Sequence, residues 1–350
     1  MNRALQQMAN PKSGRHFSLS PKDQAALLKS VAPVMGRRAE IIEKDIWLCH
    51  VLGLLFQLPL RKRMAFKGGT SLSKVYGAID RFSEDIDITI DYRDLMPEAP
   101  ALEEIVNNSQ RSKLSAALKA KMAIYIKDEV MPKLHQTLST SFLGSLIKLE
   151  LSDDAEKVRV YYPSAVEMAG GYVRPHILME FGGRNSSLPH NSVKIDADIA
   201  NYIPDLAFPT AKISVLSAER TFWEKVTLIH VECNRPNLKL NAERLSRHWY
   251  DLTKLYDHDI GKRAVLNIDL LRDVLRIKET FFRSPFSHYE NCLNGKLRLI
   301  PDKEQLDALR QDYRAMVDAQ MFYDKPLNFD SILDQLGRLA ADLNGKLVTR

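Results

Sequence analysis

Asp85 and Asp87 stand two residues apart in Asp85-Ile86-Asp87-Ile88-Thr89-Ile90, shortly after Lys67-Gly68-Gly69-Thr70-Ser71-Leu72-Ser73-Lys74. Side chains two apart on a strand point to the same face, so the two carboxylates project together while Ile86, Ile88 and Ile90 pack the other way. Carboxylates that share a face repel each other. A hard divalent cation relieves that repulsion, and Mg²⁺ takes oxygen ligands and bridges one or two carboxylates to substrate phosphates. The Gly68-Gly69 pair permits a tight turn with exposed backbone N–H groups, and residues 70–76 read as a helix whose N-terminus favours an anion. Metal and phosphate chemistry are thus expected in one cleft.

Each half has a plainer reading: the glycine pair as a turn, and Asp85 with Asp87 as the solvent face of an amphipathic strand. Their conjunction is what carries weight. Glu84 and Asp91 add charge but lie off that face or at the strand end, and stay outside the expected site.

The elements that must position these groups follow from patterning. Residues 21–30 and 37–58 read as two helices, with Leu48, Leu52, Leu55 and Phe56 on the buried side. Strands are expected over 65–67 and 86–91. Pro97 and Pro100 mark a break, and residues 102–138 hold one long or two shorter helices. Strands over 146–151, 158–162 and 176–181 are separated by the turns Ser152-Asp153-Asp154 and Ala169-Gly170-Gly171. From 217 to 347 the pattern is mostly helical. The expected class is α+β: a mixed sheet flanked by helices over residues 1–210, then a helical C-terminal domain over 211–350 that completes the cleft. The boundary is placed in the proline-containing stretch 204–216.

A chain of 350 residues buries a substantial core and is expected to form about two domains. Its net charge of +6 permits an anionic macromolecular partner without demanding one. Cys49, Cys233 and Cys292 have neither disulfide-framework nor zinc spacing, which suggests free thiols in a reducing cytoplasm. Residues 1–20 are polar and lack the apolar core of a signal peptide. The most apolar stretch, 46–60, contains His50, Gln57 and Pro59 and is too short to span a bilayer. The expected location is cytoplasmic, with no membrane role.

The order glycine pair, helix, then Asp-x-Asp on the next strand resembles the nucleotidyltransferase superfamily pattern. The wording Gly-Gly-Thr-Ser-Leu-Ser-Lys followed by Arg-Phe-Ser-Glu-Asp-Ile-Asp-Ile is similar to the AbiEii/AbiGii toxin family, whose members are toxins of toxin–antitoxin and phage-defence pairs. The resemblance implies a nucleotidyltransferase-like fold, a nucleoside triphosphate substrate and two Mg²⁺ ions. It asks for a third carboxylate on a later strand, and His176-Ile177-Leu178-Met179-Glu180-Phe181 supplies Glu180 as third metal ligand or general base. The alternative is a strand-end Glu180 paired with a base such as Arg184. Glu150 competes for the role, but it alternates with Lys148 opposite Ile147, Leu149 and Leu151 and reads as solvent-facing.

Two later segments extend the resemblance. Ser217 to His230 resembles the family's Glu-Lys helix, in which a lysine contacts the triphosphate; here that is Lys225, one turn from Thr221. Arg244-Leu245-Ser246-Arg247-His248-Trp249-Tyr250-Asp251-Leu252 is similar to its Arg-x-x-Tyr-Asp-Leu motif, with Asp251 orienting the acceptor or the lysine and His248 standing where an acid often follows the arginine. The tail around Gln311 to Met316 and residues 329–343 resembles the family's C-terminal helices. The implied catalytic set is Asp85, Asp87, Glu180, Lys225 and Asp251, with Asp85, Asp87 and Glu180 as metal ligands. The implied nucleotide-binding set is Lys67, Gly68, Gly69, Thr70, Ser71, Lys74 and Lys225.

The function implied is transfer of a nucleoside monophosphate from the triphosphate to an RNA acceptor, with the tRNA 3′ end as the leading version. A neutralising antitoxin is the implied partner, without need of a stable complex. Basic clusters at Arg61-Lys62-Arg63 and Arg111-Ser112-Lys113, with Lys119 and Lys121, are candidates for phosphate contact or simply solvated faces. The competing readings are transfer to a protein hydroxyl and a catalytically silent nucleotide-binding interaction module.

Overall fold

In the computed structural model, the described residues are 15–140, 143–167, 174–236 and 244–348. Two helices, α1 (Pro21–Met35) and α2 (Ala39–Gln57), come first. Ser20 caps α1 by accepting a hydrogen bond from the Asp23 N–H, and Pro21 occupies the first turn, where its missing N–H costs nothing. They lead into β1 (Met64–Lys67), the short helix α3 (Gly68–Lys74) and β2 (Asp85–Asp91). α4 (Asn108–Tyr125) opens on a capping box between Asn107 and Gln110. A π-turn then runs into α5 (Met131–Ser139), so the expected long helical region is two helices joined in line.

β3 (Lys148–Leu151), β4 (Lys157–Tyr161) and β5 (Ile177–Asn185) follow as expected, although the Ala169-Gly170-Gly171 turn lies outside the described residues. Two further strands, β6 (His190–Asp196) and β7 (Thr210–Leu216), were not foreseen. The seven form one mixed sheet in the order β3-β4-β5-β2-β1-β7-β6. β1 pairs antiparallel with β2 and parallel with β7, and β2 pairs parallel with β5.

β7 alters the expected domain division. A cut between 210 and 211 falls at its first residues, yet β7 lies inside the sheet between β1 and β6. Ala211, Ile213 and Val215 are buried on its core face against the α2 side. The polar alternates Thr210, Lys212 and Ser214 and the prolines before it gave the segment the look of a linker.

The helical half comprises α6 (Ala218–Asn234), α7 (Arg247–Asp257), α8 (Asp259–Leu266), α9 (Ile268–Phe281), α10 (Lys303–Asp318) and α11 (Phe329–Val348). Among the described residues two large apolar cores result, beside a small cluster of Ile41, Phe82 and Met321. One packs Trp47, Leu52 and Leu55 of α2 against Ile86, Ile88 and Met179 of the sheet. The other joins Phe222, Trp223 and Trp249 to Leu271, Leu336 and Leu339. They exchange residues: Leu72, Ala78 and Ile79, between β1 and β2, belong to the helical core, whereas Ile277 and Phe281 of α9 pack in the sheet core. The Gly68 turn is thereby fixed where the two halves meet. Among the described residues, no helix is long and apolar enough to cross a membrane.

Candidate active site

The centre of the sheet carries a row of charge. Cross-strand register places Lys67 of β1 opposite Asp87 of β2, Asp87 opposite Glu180 of β5, and Glu180 opposite Lys157 of β4. Directly opposed residues share a face, so the four side chains stand side by side. Asp85 lies two residues along the same face, as strand periodicity predicts.

The loop before α3 closes on this row. Gly68 has φ +81°, a left-handed conformation that favours glycine, and a Cβ there would lie 2.0 Å from Asp87 Oδ2. A Cβ on Gly69 would meet Arg81 Nη2 at 2.7 Å. A side chain at either glycine would have to displace Asp87 or Arg81, and at Gly68 the backbone conformation disfavours one as well.

A cleft of about 230 Å³ opens here, lined by Lys67, Gly68, Gly69, Asp85, Asp87 and Lys225 of the expected set. Sequence reasoning missed several other walls of it, chiefly Arg81, Glu224, Arg247 and Lys278. Arg81 and Arg247 were visible in the motifs but lacked an assigned place. Lys278 gave no signal, being one polar position on an amphipathic helix.

Electrostatics divide the cleft. Burial first, then the neighbouring Glu180 and Asp85 charges, push the Asp87 carboxyl up to about 6. Asp85 is also raised, by burial and by the adjoining Glu84. Its Oδ1 is buried without a hydrogen-bond partner among the described residues, with Arg174 Nη1 at 3.7 Å. Opposite stand the cations. Lys67 Nζ pairs with Glu224 at 2.7 Å. Burial lowers Lys278 to about 8 despite the Glu224 charge.

Lys225 and Asp251 form a second layer. Asp251, fully buried, accepts two bonds from Arg81 at 2.6 and 2.7 Å and pairs with Lys225 Nζ at 2.8 Å. Burial alone would raise the Asp251 carboxyl; the Arg81 and Lys225 charges outweigh it and hold it well below the usual range. Burial also lowers Lys225, with Asp251 opposing the shift. His248 Nδ1 lies 3.3 Å from Lys225 Nζ, and burial followed by the Lys225 charge keeps that imidazole neutral. Asp251 thus positions Lys225 and Arg81 from behind. Glu243, which stands four residues before Arg247 and eight before Asp251 in the chain, lies outside the described residues.

Three expected nucleotide contacts are not brought to the cleft. Lys74 points away, held between Asp45 at 2.7 Å and Asp198 at 2.5 Å. Its ammonium is thereby committed to two carboxylates that do not line the cleft. Ser71 is fully buried and donates to the Gly68 carbonyl at 2.9 Å, and Thr70 donates to Ser83 Oγ at 2.9 Å. Both hydroxyls build the turn. Glu180 is set beside Asp87 but is 38% exposed and bonded to Lys157 at 2.6 Å. Its partner is Lys157, not Arg184.

Glu84 and Asp91 are accounted for elsewhere. Glu84 is buried between Lys44 and Arg244, and Asp91 takes Arg93 and Ser187. Glu150 faces outward with Arg159 at 2.8 Å. Among the described residues, no group of three or more histidines, cysteines, aspartates or glutamates is arranged to hold a metal. The two-carboxylate set nonetheless fits a hard cation, since Asp85 keeps a buried oxygen without a hydrogen bond and Asp87 sits under like-charge pressure.

Strand carboxylates facing buried cations across a glycine turn, on a mixed sheet, have the make-up of a nucleotidyltransferase. Residues 52–335 match the family profile described as nucleotidyl transferase AbiEii toxin, type IV TA system, and the chain belongs to that family of toxins of type IV toxin–antitoxin systems. No curated protein sequence matches the chain closely enough to count as a relative. Among solved structures, it is similar to MenT4, a nucleotidyltransferase toxin from Mycobacterium tuberculosis H37Rv, at 17% identity over 99% of each chain with a TM-score of 0.39. That likeness is too distant to carry residue roles across.

Proposed function

We propose that this toxin transfers a nucleoside monophosphate from a nucleoside triphosphate to a hydroxyl of an RNA acceptor, with the tRNA 3′ end as the leading target, in the cytoplasm. The observation that carries the reading is the opposition of Asp85 and Asp87 to Lys225, Lys67, Arg247 and Lys278 across a single small cleft. Such chemistry depends on placement and electrostatics more than on covalent participation by the protein.

In this reading Lys225, held by Asp251 and kept beside a neutral His248, binds and orients the triphosphate. The Gly68-Gly69 backbone allows close approach of the phosphates to Asp87. Arg81, tied to Asp251 while its Nη2 stands against Gly69, sets the same turn. Asp85 and Asp87, with Glu180 beside them, would hold Mg²⁺, which when bound supplies charge stabilisation for the attacking and leaving oxygens. Phage defence is the proposed setting, with the antitoxin as the neutralising partner.

The deciding experiment incubates pure protein with each labelled nucleoside triphosphate, Mg²⁺, and either total tRNA or cell lysate. Label at the RNA 3′ end is expected. Label on protein alone moves the acceptor to a protein hydroxyl, and no label in any polymer removes the transferase assignment for this chain.

A further inference from the structure

At the end of α9, Lys278 Nζ lies 4.8 Å from the centroid of the Phe282 ring, and Arg184 Cζ lies 5.1 Å from the same centroid. Lys278 lines the catalytic cleft. Arg184 lines a separate polar groove of about 850 Å³ between α4, the end of β5 and the segment after α9. Phe282, 41% exposed, thus touches one cation of the cleft and one of the groove.

The groove has surplus positive charge. Arg111 and Lys119 enter it from α4, joined by Arg184 and Arg283. Arg111 and Arg283 share one carboxylate, Glu279, at 3.7 and 3.0 Å. Among the described residues, Lys119 and Arg184 have no carboxylate partner; Arg184 donates only to Ser115 Oγ, at 3.3 Å. Two polar atoms along the groove, Arg111 Nε and Ser284 Oγ, are buried without hydrogen-bond partners among the described residues. Two of the other basic residues are already engaged, Arg63 with Asp94 and Lys121 with Glu98. Of the basic residues legible in the sequence, Arg111 and Lys119 are those turned to a groove with capacity for further anions.

Cations along a groove, with an exposed aromatic against one of them, suit single-stranded nucleic acid, whose phosphates follow the charge and whose bases stack irrespective of sequence. We infer that the single-stranded 3′ end of the RNA acceptor enters through this groove, its phosphates against Lys119 and Arg184 and its terminal base at Phe282, which delivers the 3′ hydroxyl past Lys278 toward Asp87. The inference rests on the RNA-acceptor reading above and adds the route. Phe282 and Arg184 are then positioning residues for the acceptor.

The test uses the full chain, total tRNA and labelled triphosphate with Mg²⁺, in wild type, the double variant Lys119→Gln with Arg184→Gln, Phe282→Leu, and Lys262→Gln as an exposed charge control. Triphosphate affinity is titrated separately without RNA. The expected result is a rise of about tenfold in KM for tRNA in the groove variants. The double variant keeps its kcat at saturating RNA, whereas Phe282→Leu also lowers kcat because the terminal base is no longer placed. Triphosphate affinity measured without RNA is unchanged in both, and the control behaves as wild type. The salt dependence of tRNA binding becomes shallower by about one unit of slope for each phosphate no longer bound. Unaltered KM and slope, with tRNA still labelled by the wild type, overturn the groove and leave the RNA reading standing. Equal losses of tRNA and triphosphate binding also overturn it, because they mark a structural role. Failure of the wild type to label or bind tRNA removes the RNA reading and the groove together.

Discussion

Asp87 and Glu180 stand directly opposite each other on adjacent parallel strands, yet only Glu180 takes a basic partner on the far side, Lys157 at 2.6 Å. Asp87 remains the carboxylate pressed against the Gly68 turn. The two acids are therefore unequal. Asp87→Asn is expected to lower transfer at least about a hundredfold, the scale of losing a preorganised electrostatic group. Glu180→Gln should instead raise the Mg²⁺ concentration needed for half-maximal transfer while retaining activity at saturating metal. Chelation with EDTA should stop transfer and added Mg²⁺ restore it. Equal losses in both variants would make Glu180 an equal ligand, and no change in Mg²⁺ requirement would remove it from the set.

Gly68→Ala combines a strained backbone with a clash that must displace the Asp87 carboxylate, since φ is +81° and the new Cβ would lie 2.0 Å from Asp87 Oδ2. Gly77 provides the comparison, with φ +56° and nothing within 4 Å of where its Cβ would stand. Gly77→Ala should cost about 1 kcal/mol in urea unfolding, from strain alone. Gly68→Ala should cost more and abolish transfer. Wild-type activity in Gly68→Ala would mean that the turn does not abut the reacting groups.

Lys225 and Asp251 should separate function from stability. Asp251→Asn removes the carboxylate charge shared by two buried cations, at a cost of about 3–5 kcal/mol. Lys225→Met leaves the paired bonds from Arg81 to Asp251 in place, so the fold should tolerate it better while triphosphate use falls sharply. Lys262→Ala, at an exposed lysine, should do neither. Equal behaviour of Lys225→Met and Lys262→Ala in transfer assays would return Lys225 to a structural role.

His50 offers a pH signature away from the cleft. Burial lowers its pKa from 6.5 to about 4, so below pH 6.5 the unfolded chain takes up the proton first. Stability from this group is full above 6.5, falls as pH drops toward 4, and levels off below. The loss approaches about 3 kcal/mol. His50→Phe keeps an aromatic ring beside Phe17 and Trp47 but cannot titrate. The difference in unfolding free energy between variant and wild type should shift in the variant's favour across that window, and a constant difference would refute the assignment.

As a member of a toxin family, the chain expressed alone should arrest growth, and Asp87→Ala should relieve the arrest if harm comes from transfer. Removing one of two adjacent buried like charges should leave the thermal midpoint no lower than wild type. Equal harm from both proteins, measured as colony yield at matched expression, would assign toxicity to binding.

Short-range patterning was enough for the local parts. Period-two alternation put Asp85 and Asp87 on one face, and the glycine pair marked a tight turn. The N-terminal helices and five of the strands were also legible, because each writes its own short-range pattern. What needed tertiary structure was every relationship between distant segments. β7 reads as a linker until the sheet accepts it beside β1. Lys74 reads as a phosphate ligand until α3 turns it toward Asp45 and Asp198. Arg81 and Asp251 are 170 residues apart in the chain and meet only because the two apolar cores exchange residues around the Gly68 turn. Periodicity fixes the direction of a side chain relative to its own element. Its partner depends on how elements pack, and that is decided by the burial of all of them at once.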